Sequence, residues 1–68
     1  MVNGKVIEYD GFVGKIKDDK GNIFIFTNND LKHKNITVNS MVRFNPEVYK
    51  TEEILEYRAH FIKIIDNN

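Results

Sequence analysis

The chain has 68 residues, with ten Lys and Arg against ten Asp and Glu, one proline and no cysteine. That length supplies one small core, worth roughly 3–5 kcal/mol of net stability, and the missing thiols exclude a disulfide staple or a thiolate metal site. The balanced charge removes a basic net charge as a reason for binding nucleic acid, so any affinity for phosphate must come from a local patch.

No apolar run opens the chain in the manner of a signal peptide, and no segment approaches the length of a membrane span. The expectation is a soluble, cytoplasmic protein with no membrane partner.

The first strand is predicted over Val2–Tyr9, with Val2, Gly4 and Val6 on one parity and Lys5, Ile7 and Tyr9 on the other. Asp10-Gly11 is a turn signal. A second strand over Phe12–Lys17 sets Phe12, Gly14 and Ile16 opposite Val13, Lys15 and Lys17. Gly14 inside it marks a bulge or a close approach of backbone, a device small barrels use to bend. Asp18-Asp19-Lys20-Gly21 reads as a hairpin loop, with Gly21 free to take a positive φ. A third strand over Asn22–Thr27 carries Ile23 and Ile25 on one parity, Phe24 and Phe26 on the other.

Residues 28–40 show no clean period. Asn29-Asp30-Leu31 marks a single helical turn, since Asn and Asp cap free N–H groups. So long a connection in so small a domain is expected to cover one end of the barrel or to carry function. A fourth strand runs from Met41 to about Asn45, with Val42 and Phe44 inward, and Pro46 ends it or sits on an edge. Residues 50–55 read as a loop or one helical turn, and the acidic stretch around them as solvated. The fifth strand is Tyr57–Ile65. Asp66-Asn67-Asn68 should fray, which places the single domain at residues 1–66 with 67–68 as its loose end. Five short strands separated by turn signals predict an all-β fold, a small five-stranded antiparallel barrel that hides its sheet edges.

The order of these features resembles the cold-shock domain, a family of five-stranded OB-fold barrels that bind single-stranded nucleic acids. Gly4-Lys5-Val6-Ile7-Glu8-Tyr9 is similar to the family opening Gly-Lys-Val-Lys-Trp-Phe. Gly11-Phe12-Val13-Gly14-Lys15-Ile16 resembles its first RNA-binding motif, Lys-Gly-Phe-Gly-Phe-Ile, and Ile23-Phe24-Ile25-Phe26 its second, Val-Phe-Val-His. Val42-Arg43-Phe44 matches Val-x-Phe of the fourth strand, and Ala59 with Ile62 is similar to the ending Ala-x-Asn-Val. The chain departs from the pattern with a shorter loop between its first two strands. Glu8 stands at the Trp position, Val13 and Lys15 at the two Phe positions of the first motif, and Phe26 at the His of the second. The resemblance implies an OB-fold-like barrel that binds single-stranded RNA or DNA with low sequence specificity, as an RNA chaperone or regulator.

Binding single strands takes flat π faces for bases and cations for the backbone. Strand parity gathers Lys5, Tyr9, Val13, Lys15, Lys17, Phe24 and Phe26 on one candidate face. Phe24 and Phe26 are the expected stacking rings, with Ile23 and Ile25 turned to the core. Core packing of the two rings is the opposite reading, because both sides of this strand are apolar. Tyr9 either stacks or is a half-buried ring, and Phe12 either completes the platform or plugs the barrel under its loop. Arg58 and His60 extend a polar edge, and His33 lies in the basic run Leu31-Lys32-His33-Lys34.

The second functional expectation is a protein–protein module, including a homodimer, that uses the same apolar face. No metal site is expected, since His33 and His60 lack ligand spacing, and no cofactor or enzymatic activity, since no nucleophile elbow, P-loop or dinucleotide fingerprint is present.

Overall fold

Alternating apolar and polar residues build five strands in the computed structural model, which describes residues 1–33 and 35–65. They are β1 (Val2–Tyr9), β2 (Val13–Asp18), β3 (Ile23–Thr27), β4 (Met41–Lys50) and β5 (Leu55–Ile64), with a single 3-10 turn at Asn28–Asp30. The strands close into a barrel in the order β1-β2-β3-β5-β4, the arrangement expected of an OB-fold-like barrel. The closing seam departs from a purely antiparallel sheet. β3 pairs with β5 in parallel, Ile25 against Arg58, and a second parallel bridge joins Leu31 to Ile62.

The core comprises Val6, Ile16, Phe24, Phe26, Ile36, Val42, Phe44, Ala59 and Ile62. Two glycines decide how these side chains fit. Gly14 lies opposite Phe26 on the β2–β3 ladder, and a Cβ added there would come within 2.4 Å of the Phe26 ring. Gly4 does the same on β1, where a Cβ would meet the Ile16 side chain at 2.6 Å. The missing side chains therefore leave room for larger neighbours, so Gly14 marks a close approach, as its place in the strand predicts.

Two register shifts re-aim side chains. β1 carries an extra residue, Ile7, between the pairs Val6–Ile16 and Glu8–Lys15. Glu8 thereby faces outward and Tyr9 turns toward Gly14 and the core. The second shift falls between Arg43–Lys63 and Asn45–His60, where β5 uses one residue more than β4. Phe61 lies in this bulge with φ +53.

The turns follow the sequence chemistry. Asp10 Oδ1 accepts the N–H groups of Phe12 and Val13, both at 2.9 Å, beside Gly11 at φ +98. Asp18 Oδ1 accepts the N–H groups of Lys20 and Asn22, with Gly21 at φ +87. In the 3-10 turn, Thr27 donates both its backbone N–H and its hydroxyl to Asp30 Oδ2. The connection beyond it covers one end of the barrel, with Ile36 buried in the core and Leu31 packed against it.

β4 and β5 differ most from their predicted bounds. Pro46 does not end β4; it pairs with Ala59 on β5. It lies past Phe44, where pairing with β1 stops, so one edge of the strand is open there. Residues 50–55 form a hairpin tip, where Thr51 N–H donates to the Ile54 carbonyl at 2.8 Å. The ten-residue arms fit a long axis of 43 Å against 24 and 17 Å. The expected fraying of Asp66, Asn67 and Asn68 falls outside the described residues. Among the described residues no helix is long and apolar enough to cross a membrane.

Candidate functional site

The outer face of β1, β2 and β3 is built in rows set by the ladder. Lys5 stands directly opposite Lys17, which stands opposite Ile23. In the next row Glu8 faces Lys15, Lys15 faces Ile25, and Ile25 meets Arg58 across the parallel seam. Val13 faces Thr27 at the end near the β1–β2 loop. Exposed aliphatic groups thus alternate with cations. Ile7, Ile23 and Ile25 are each 37 % exposed and Val13 51 %. Ile7, Tyr9, Val13, Ile25 and Val38 line a shallow groove on this face.

The cations differ in their partners. Lys15 Nζ lies 3.1 Å from Glu8 Oε2, and Arg58 lies 3.2 Å from Glu56, with its Nε enclosed and without a hydrogen-bond partner among the described residues. Lys5 and Lys17 enter no ion pair among the described residues. Like charges directly across a ladder repel, so Lys5 and Lys17 concentrate positive charge at one place on this face.

The stacking rings expected on this face are elsewhere. Phe24 and Phe26 point into the core, Phe26 with no exposed surface, and Ile23 and Ile25 take the outward positions. Phe24 packs edge-on against Phe44 at 4.9 Å. Tyr9 rests on Phe26 at 5.4 Å and donates its hydroxyl to the Gly11 carbonyl at 3.1 Å. The reversal has a physical cause. Rings bury more apolar area than isoleucines, and Gly14 opens the space for one of them. Phe12 does not plug the barrel; it is 72 % exposed on the β1–β2 loop. Lys5, Lys15 and Lys17 lie on the face as expected.

His60 is not a free polar edge. Its Nδ1 lies 2.8 Å from Asp30 Oδ1 and its Nε2 lies 2.7 Å from Glu47 Oε1, on opposite sides of the ring. The bond with Asp30, joined by that with Glu47, raises the imidazole above its ordinary range despite some desolvation. For Asp30 burial opposes ionisation, yet hydrogen bonds from Thr27 and His60 hold its carboxyl below the ordinary range. Glu47 is lowered by the Tyr49 hydroxyl, 2.7 Å away, and then by His60. When protonated, the imidazole donates to both carboxylates and ties the 3-10 turn to β5 and β4.

Sequence reasoning missed Phe61, half exposed on the β5 bulge, with Lys32 Nζ 4.8 Å above its ring centroid. Nearby residues Tyr9, Gly11, Asn28, Leu31, Lys32 and His33 line a cleft at the barrel end. The strand parity of β5 gave no sign of Phe61, because the bulge sets it. Among the described residues no three His, Asp or Glu side chains gather in a way that would hold a metal ion. No family model, curated protein or solved structure matches the chain.

Proposed function

We propose that the outer face of β1–β2–β3 binds single-stranded RNA or DNA with low sequence specificity. The observation that carries this reading is the Lys5–Lys17 couple, which has no ion-pair partner among the described residues, beside the exposed aliphatic row. Phosphates of a strand placed against the two ammonium groups relieve their repulsion. Ile23, Ile25 and Val13 offer the bases an apolar floor in place of rings, and Phe12 offers a ring at its edge. The strand 2–3 face of OB barrels is a general oligonucleotide surface. The cold-shock resemblance points the same way and implies a role as an RNA chaperone or regulator.

Titration of a fluorescent oligo-dT or oligo-U strand tests the reading. Phosphate contacts by Lys5, Lys15 and Lys17, one each along the strand, predict that the logarithm of affinity falls against the logarithm of salt with a slope of about −2. Lys17→Glu should weaken binding and flatten the slope. A folded protein that binds neither strand at low salt would sink the reading.

A second reading is favoured by one observation. Ile7, Val13, Ile23 and Ile25 are aliphatic where base stacking calls for rings, so the same face suits association with a protein or a second copy. That association would be insensitive to salt and visible by light scattering, and Ile25→Glu would abolish it.

A further inference from the structure

Phe61 occupies a conformation its residue type does not favour. Its φ of +53 lies in the left-handed region, which glycine and asparagine enter at low cost and bulky residues rarely enter. Burial does not compensate, because the side chain is 53 % exposed and stands outside the core. A phenylalanine whose backbone glycine or asparagine would relieve, and about half of whose side chain stays open, presents a ring face to solvent at a backbone cost.

The surroundings say what kind of ligand fits. Lys32 caps the ring with its ammonium group 4.8 Å from the centroid, so a cation and a π face are presented together. The segment carrying Lys32 is fixed at both ends. Asn28 N–H donates to the Phe12 carbonyl at 2.9 Å, and Lys32 N–H donates to the Ile62 carbonyl at 2.9 Å. Those bonds tie the 28–32 segment to the backbone of Phe12 at one end and to Ile62, next to Phe61, at the other, with the Tyr9–Lys32–His33 cleft along it. Asp30, in the same segment, is anchored by His60, the neighbour of Phe61.

We infer that the Phe61–Lys32 pair is a second nucleotide-binding site, which stacks a base on the open face of the ring while Lys32 meets its phosphate. The site rests on the single-strand reading above and extends it from the β1–β2–β3 face to the end of the barrel. It makes the bulge a contact point and not merely a bend.

The test uses the full chain with labelled oligo-dT of about 12 nucleotides, within the span of one OB barrel. Phe61→Asn suits the left-handed backbone and removes the ring, so its Tm should equal or exceed that of the wild type. Its affinity should fall at least about fivefold, the lower end of what one stacked base supplies. Lys32→Ala should also weaken binding and reduce the salt dependence, and Lys17→Glu serves as the control for the β1–β2–β3 face. If Phe61→Asn and Lys32→Ala bind like the wild type while Lys17→Glu weakens, this site is refuted and the face reading stands. If the wild type binds no strand, both fall.

Discussion

Gly14 shows how much one missing side chain decides. Its place opposite Phe26 lets the ring lie against the β2 backbone, and an added Cβ would fall 2.4 Å from the ring and 2.6 Å from the Glu8 carbonyl. Neither neighbour is the far end of a flexible chain. Gly14→Ala is therefore expected to destabilise the fold by about 1–3 kcal/mol through overpacking, read as a shifted midpoint in urea. Gly21→Ala meets no neighbour within 4 Å but sits at φ +87, so only backbone strain of about 1 kcal/mol opposes it.

His60 supplies a residue-scale pH dependence whose sign follows from its clamp. Its folded state holds the proton more tightly than the unfolded chain, so the stabilisation is complete below the ordinary histidine range. It is lost as pH rises through the raised folded value. Asp30 and Glu47 act in the opposite sense. Their depressed folded values make their contribution present above the ordinary carboxyl range and lost as pH falls through those values. Stability should thus peak between the two ranges. Thermal melts across pH should show the alkaline decline in the wild type and its disappearance in His60→Gln. An unchanged alkaline decline in that variant would show that the clamp has no energetic part.

At the scale of the element, β3 is where sequence and structure part. Ile23-Phe24-Ile25-Phe26 is apolar on both parities, so alternation cannot choose a face. The deciding signal lay one strand away, in the glycine whose ladder partner is Phe26. The strand positions of β1, β2 and β3 and both aspartate turns were legible because each carries its own period or turn chemistry. The half-buried reading of Tyr9 holds, but what decides it, and what exposes Phe61, is in each case a bulge that no local residue announces. Of the two readings of Pro46, the edge position holds and the strand end does not, because proline tolerates a strand where one edge lacks a partner. The β3 assignment is testable by paired truncations. Phe26→Ala removes a fully buried ring at a cost of about 3–5 kcal/mol, comparable with the whole stability of so small a domain, and should unfold it. Ile25→Ala should cost about 0.5 kcal/mol, as exposed sites do. Circular dichroism in which both variants behave alike would contradict the observed parity.

The whole molecule divides charge in space where the sequence balances it in number. The barrel face presents Lys5, Lys15 and Lys17 against the one carboxylate of Glu8, whereas Glu47, Glu52, Glu53 and Glu56 lie with Lys50 on or near the β4–β5 hairpin. A neutral chain can in this way offer a cationic surface to a strand while its far arm repels one. The hairpin also exposes Val48, Tyr49, Ile54 and Leu55. Replacing Ile54 and Leu55 by serine should shift Tm by no more than about 4 °C, the upper end of what roughly 0.5 kcal/mol produces in a domain this small, and leave strand affinity unchanged or slightly higher.

The central claim, that the face of β1, β2 and β3 receives a single strand, is tested most directly by NMR on isotope-labelled protein titrated with oligo-U at low salt. Binding at this face should make the amides of Lys5, Lys15, Lys17, Ile23 and Ile25 shift together and saturate, with the hairpin amides of Glu52 and Glu53 unmoved. Shifts confined to the hairpin, or no shifts at all in a folded protein, would contradict it.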